Sequence, residues 1–220
     1  MKCLLCHQPI SNNLPLKRWL RWFTITPPRL CERCMAQFER IEPPFCPGCG
    51  RHSAGLCQDC VRWQQTEPLL HHRALFTYNT AMKAFIQQYK GLGDYQLHAA
   101  FISEIDLNPA RHQVLVPITS EATHYQRRGF DPVLGLFAHL PLQQWLVKHA
   151  TDRPQASKNR RERLATPQSF TVKGDVDFAG INHVRLLDDL YTTGRTLYHA
   201  AAALRDAGFH GTITSFSLIR

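Results

Sequence analysis

From residue 67 onward the apolar positions switch between two spacings. In TAMKAFIQQYKG, residues 80 to 91, Met82, Phe85, Ile86 and Tyr89 recur at three- and four-residue intervals, the spacing of one helical face, and Gly91 stands where a helix-ending glycine belongs. QVLVPI, 113 to 118, is a short apolar run of strand length. Asp131-Pro132 reads as an N-cap followed by proline at the first helical position. QWLVKHA, 144 to 150, predicts a second strand and HVRLLD, 183 to 188, a third. GRTLYHAAAALRDAG predicts a helix ending at Gly208, and TITSFSLI a final strand. Strands that alternate with helices imply a parallel sheet with right-handed crossovers, so the expected class is α/β.

The first 66 residues follow another logic. All eight cysteines lie there, in four C-x-x-C pairs: Cys3/Cys6, Cys31/Cys34, Cys46/Cys49 and Cys57/Cys60. A segment so short and so rich in Pro and Gly has too little apolar surface to fold without a staple. Two parts are expected, a cysteine-bearing module over 1–66 and an α/β domain over 67–220, the latter held by ordinary burial. No run approaches the ~20 apolar residues of a membrane span, and MKCLLCHQPI has no secretion-signal pattern. A cytosolic, reducing location is therefore expected, where metal binding explains paired cysteines better than disulfides do. Four thiolates satisfy one tetrahedral Zn²⁺, so eight suffice for two ions of structural type. In CPGCGRHSAGLCQDC, Cys46, Cys49, Cys57 and Cys60 are close in sequence, which leaves Cys3, Cys6, Cys31 and Cys34 for the other site. Spacing alone leaves other pairings of the four knuckles, and an oxidation-sensitive dithiol, open.

Charge then narrows the class of partner. Twenty-six Lys and Arg against seventeen Asp and Glu give a net charge of +9, which favours nucleic acid or a phosphorylated metabolite. In LKRWLRWF, 16 to 23, a helix would put Leu16, Trp19, Leu20 and Phe23 on one face. Those aromatics are either the module's core or, with Trp22 and the interleaved Lys17, Arg18 and Arg21, a platform on which single-stranded bases stack. RPQASKNRRER, 153 to 163, carries five basic residues, Lys158, Arg160 and Arg161 among them, against one acid. It suits a cover over a phosphorylated ligand, a track for a nucleic-acid backbone, or a solvated loop. The twelve histidines are scattered, and most are expected at the surface.

The most specific stretch is LLDDLYTTGRT, 186 to 196. An apolar strand runs into two carboxylates, then into hydroxyls and a glycine at the start of a helix. Carboxylates accept hydrogen bonds from vicinal hydroxyls, and amides and threonine hydroxyls at a helix N-terminus surround a phosphate. A ribose 5-phosphate presents both groups, as phosphoribosyl pyrophosphate (PRPP) does. The stretch resembles the PRPP-binding signature of type I phosphoribosyltransferases, which implies ligand contacts from Asp188, Asp189, Tyr191, Thr192, Thr193, Gly194, Arg195 and Thr196, with Mg²⁺ accompanying PRPP.

The resemblance covers nearly the whole chain and narrows to the ComF family of competence proteins, in the branch of the ComFC and GntX-like chains. It is carried by the amino-terminal C-x-x-C pairs, YNTAMKAFIQQYKGLGD (Tyr78 to Asp94), VLVPITSEATHYQRRGFD, RPQASKNRRERLATPQSF and LLDDLYTTGRT, in that order. The chain departs from the family at Thr119, where a second proline is usual, at Asp131, where an asparagine is usual, and at Arg185, in a strand otherwise apolar. The resemblance implies a type I phosphoribosyltransferase-like parallel sheet flanked by helices, behind an N-terminal zinc module. Residues 117–129 would face pyrophosphate through Arg127 and Arg128, with Lys90 as a further candidate, since guanidinium forks suit phosphate oxygens. The basic segment 153–163 falls where those enzymes carry a loop that closes over substrate. The implied function is single-stranded DNA handling during natural transformation, beside a ComFA-type ATPase. An active transferase using PRPP and Mg²⁺ is the alternative, and a domain whose PRPP binding modulates DNA affinity without turnover is a third. No catalytic residue stands out, and no stretch marks a nucleobase pocket. With only SFSLIR before the end at Arg220, the expectation leans away from a salvage enzyme.

Overall fold

A computed structural model describes residues 1–10, 27–149 and 169–220. Trp19, Trp22, Lys17, Arg18, Arg21, Lys158, Arg160 and Arg161 lie outside the described residues. The elements run α1 (Glu32–Met35), α2 (Gln58–Gln64), β1 (Arg73–Phe76), α3 (Thr80–Ile86), β2 (Gln113–Pro117), α4 (Ala122–Arg128), α5 (Pro132–Leu136), β3 (Leu146–Lys148), β4 (Phe170–Val172), β5 (His183–Leu190), α6 (Arg195–Asp206) and β6 (Thr212–Ile219).

Four strands form a parallel sheet in the order β1-β6-β5-β2. Both faces are covered, as parallel sheets require. Successive side chains of a strand point to opposite faces, so Leu187, Phe216 and Leu218 join one core with Phe85, Phe101 and Leu115. Val184, Leu186 and Ile213 join the other, with Val116 and the α6 residues Leu197, Tyr198 and Leu204. Helix α6 ends as its sequence predicts: Gly208 takes a φ of 93°, its N–H bonds the Arg205 carbonyl, and Phe209 N–H reaches back to Leu204. Helix α5 starts as predicted too, with the Asp131 carboxylate accepting from the amides of Val133 and Leu134 ahead of Pro132.

Three local expectations are corrected. The helix over 80–91 is α-helical only to Ile86 and widens into a π-turn over Gln87–Gly91. The left-handed glycine is Gly93, with φ 78°, not Gly91. That wider turn buries Tyr89, whose hydroxyl donates to the Pro132 carbonyl at 2.9 Å, and such turns gather at functional sites. The strand expected over 144–150 shrinks to Leu146–Lys148 and leaves the parallel sheet, pairing antiparallel with β4. Finally, β5 runs on past residue 188 to Leu190, so the acid pair sits inside the strand. No described helix is long and apolar enough to cross a membrane.

Candidate functional site

The parallel sheet ends at a cavity of about 790 Å³, lined by Asp188, Asp189, Thr192, Thr196, Lys90 and Arg127 among others. Ligands of open α/β sheets bind at this carboxyl edge of the strands. The pleat turns the two adjacent acids to opposite faces of β5. Asp189, in step with the Leu218 side of the sheet, meets the α3 extension and forms an ion pair with Lys90. Asp188 is half-buried, and its Oδ1 accepts the Asp189 amide at 2.9 Å.

Proximity and burial separate their acidities. Burial, and then the neighbouring Asp189 charge, push the Asp188 carboxyl well above the usual range. Burial acts the same way on Asp189, but the Lys90 ammonium outweighs it and holds that carboxyl below its ordinary value. The two carboxyls are thus driven in opposite directions, Asp188 toward the neutral form and Asp189 toward the carboxylate that Lys90 pairs with.

Further cations line the same cavity. Arg127 and Arg128 leave the last turn of α4 and line the cavity, as does Lys148 from β3. Arg128 Nε also donates to the Lys90 carbonyl at 3.0 Å, tying α4 to the π-turn. Lys148 stands 3.7 Å from the buried Glu121. Asp131, besides capping α5, accepts the Ser120 amide at 2.6 Å and so anchors the loop after β2. The structure thus gathers Asp188, Asp189, Lys90, Arg127 and Arg128 around one cavity. Lys148 was not signalled by its sequence, because only the β3–β4 pairing carries it there.

Loop 191–196 is split in its orientation. Thr192 and Thr196 line the cavity, whereas Thr193 is buried and Tyr191 lies beneath the loop. Gly194 has φ 82°, and a Cβ there would run into the Tyr191 hydroxyl and ring, so conformation and space both favour glycine. Arg195 opens α6. Behind the loop, the Tyr191 ring lies 4.4 Å from His72 and 4.3 Å from the Arg220 guanidinium. His72 is fully buried, against the expectation for the histidines at large. The Ser217 hydroxyl donates to the Ile219 carbonyl, so it accepts from His72 Nε2, and Nδ1 in turn accepts from Ser215, both at 3.0 Å. A neutral ring satisfies every partner, and burial, then Arg220, drive its pKa well below 6.5.

The cysteines form two sets, Cys3/Cys6/Cys31/Cys34 and Cys46/Cys49/Cys57/Cys60, with all four sulfurs of each within 4.8 Å of one another. That grouping removes the cross-paired alternatives. Sulfur separations of 3.7 Å for Cys6–Cys31 and 3.5 Å for Cys49–Cys57 approach the ~3.8 Å edge of a tetrahedron with ~2.3 Å metal–sulfur bonds. Each set can hold a metal ion. The Cys60 thiol hydrogen bond, followed by the Arg51 amide and Arg220, outweighs burial and brings Cys49 down to about 4, while the same Cys49 contact raises Cys60 and burial raises Cys57, so Cys49 is the sulfur most disposed to be a thiolate. The two sets lie on opposite faces of the sheet, Cys3 and Cys34 in the core of Phe85, and Cys46, Cys49 and Cys60 in that of Tyr198.

Comparison with known proteins is consistent along the whole chain. It is 36% identical over 225 residues to "Competence protein ComFC" of Streptococcus pneumoniae, covering 100% of both chains. To "Competence protein ComFC" of Bacillus subtilis it is 32% identical over 232 residues, covering 99% of this chain and 94% of that one. To "Competence protein F" of Haemophilus influenzae it is 27% identical over 202 residues, covering 81% and 85%. No protein-family model matches the chain.

Proposed function

The chain belongs to the ComF family of competence proteins, and from that premise we propose that it is a ComFC-like cytoplasmic protein of natural transformation. In this reading it handles incoming single-stranded DNA through a zinc-bearing module, residues 1–66, joined to a PRPP-binding, phosphoribosyltransferase-like domain, residues 67–220. One observation carries the PRPP half: an acid pair and a threonine-bearing loop at the end of β5 line a single cavity together with Arg127, Arg128, Lys148 and Lys90, the last paired with Asp189. Asp188 and Asp189 are suited to the ribose hydroxyls, the loop at the α6 N-terminus to the 5-phosphate, and the cations to pyrophosphate. Lys90, held by Asp189 in the free protein, becomes available to a phosphate once ligand takes over that carboxylate. Mg²⁺ arriving with PRPP would neutralise phosphate charge, and zinc in the two four-cysteine sets would act structurally.

The DNA half rests on the relatives' names and on the net charge of +9. A ComFA-type ATPase is the proposed partner. The test is anisotropy of a labelled single-stranded oligonucleotide at two salt concentrations, with and without PRPP and Mg²⁺. Binding that weakens steeply with salt is expected, because phosphate contacts release counterions. Absence of binding under every condition, with and without the ATPase, overturns the DNA reading.

A second reading, an active phosphoribosyltransferase, is favoured by the presence of sugar-type acceptors and pyrophosphate-type cations in the same cavity. Release of pyrophosphate with a nucleobase, abolished in Asp189→Asn, would establish it. Silence across all bases would leave a binding domain.

A further inference from the structure

The second cysteine set and the loop before α6 are joined at two places. Helix α2 follows its N-cap Cys57 and contains Cys60, so two of the four cysteines set its position. One turn beyond Cys60, Trp63 donates its Nε1–H to the Thr193 carbonyl at 2.9 Å. The Trp63 ring lies flat on Tyr198 of α6, with centroids 4.1 Å apart and planes at 20°. Separately, Arg220 donates to Cys49 Sγ at 2.9 Å while its guanidinium covers the Tyr191 ring. Tyr191 in turn presses its hydroxyl under Gly194.

These contacts grip the loop from the side away from the cavity. In a planar trans peptide the C=O and the next N–H point in opposite directions. Holding the Thr193 carbonyl toward Trp63 therefore aims the Gly194 amide away from the metal side, as a phosphate-binding loop needs.

We propose that a metal ion at Cys46/Cys49/Cys57/Cys60 and a phosphorylated ligand at loop 191–196 strengthen each other's binding, with Trp63 as the positioning residue between them. The inference rests on the reading of that loop as a phosphate site. Coupling of this kind is reciprocal: the factor by which metal raises ligand affinity is the factor by which ligand raises metal affinity.

The experiment uses the full zinc-loaded chain, with PRPP–Mg²⁺ affinity measured by calorimetry and zinc loss to a coloured chelator measured with and without PRPP. In the native protein PRPP should slow the loss of one of two zinc equivalents. Trp63→Phe should keep both equivalents yet bind PRPP about tenfold more weakly, the worth of one hydrogen bond, and PRPP should no longer protect its zinc. Native-like PRPP affinity in Trp63→Phe, or zinc loss indifferent to PRPP in a native protein that binds it, overturns the proposal. If Trp63→Phe does not fold, Arg220→Met, which removes only the second tie, is held to the same two criteria. If the native protein binds no PRPP at all, the phosphate-site reading has failed, and amide hydrogen exchange over 191–196 decides the coupling. Faster exchange after chelation and in Trp63→Phe sustains it; unchanged exchange sinks it.

Discussion

The two four-cysteine sets are built from the same knuckle, yet they have different neighbours. Cys46, Cys49 and Cys60 are wholly buried, share a core with Leu186 and Tyr198, and reach the loop before α6 through Trp63 and Arg220. In the other set Cys6 is exposed and Cys31 half-buried, and the buried Cys3 and Cys34 pack on the opposite face of the sheet beside Phe38 and Phe76. Identical ligand chemistry thus serves two ends: one set holds the candidate site from behind, while the other secures the face that carries α3. A C-x-x-C pair supplies two sulfurs to a set that can hold a metal and leaves the structural duty of that set to whatever the knuckle packs against.

The sharpest way to break this contrast is to remove one ligand from each set. Cys60→Ser should abolish one zinc equivalent, lower the thermal midpoint by more than about 10 °C and eliminate PRPP binding, because α2 and the loop lose their support together. Cys6→Ser should also lose one equivalent, but keep PRPP affinity within about twofold. Equal losses in the two variants would erase the distinction.

Next in size is a change on the side of the cavity opposite the second set. Asp189→Asn leaves Lys90 without its counter-ion. A broken buried pair costs roughly 3–5 kcal/mol, and with Lys90 30% exposed the cost here should be nearer ~2 kcal/mol. Chemical denaturation should show that loss, and PRPP affinity should fall about 100-fold with both zinc equivalents retained. Zinc lost along with the ion pair would mean that the site and the metal sets are not separable in this direction.

The smallest effect is expected beneath the second set and depends on pH. His72 is held neutral, with its folded pKa well below 6.5. Unfolded His72 takes up a proton as pH drops below 6.5 while folded His72 does not, so its contribution is intact above that pH and declines below it. The slope is at most ~1.4 kcal/mol per pH unit for one proton. Stability measured from pH 7.5 to 5.0 should fall more steeply in the native protein than in His72→Gln. Parallel curves would show that another group bears the dependence.

Much of the frame was legible because it depends on neighbours in sequence. The α6 glycine ending and the Asp131 cap each involve residues within one helical turn, where spacing and side-chain type decide the outcome. Opaque elements were those whose form depends on a distant partner. RALF, 73 to 76, is too short to show alternation and becomes β1 only because β6 pairs with it. QWLVKHA reads as a sheet strand, yet β4 captures it, since strand preference follows the pairing context. His72 has no sequence signature of burial, as the serines that solvate its ring stand 143 and 145 positions away.

By itself the sequence determined the eight cysteines in pairs, the acid pair at the end of an apolar run, and the glycine and hydroxyls that follow, because each is a matter of residue type and short spacing. Only the tertiary structure decided that Asp189 answers to Lys90, that Lys148 joins the cation wall, and that Trp63 meets a carbonyl 130 positions further along. Those pairings follow from which faces of the sheet are buried and what covers them. That choice is made by the burial of the whole chain, so no local pattern can carry it.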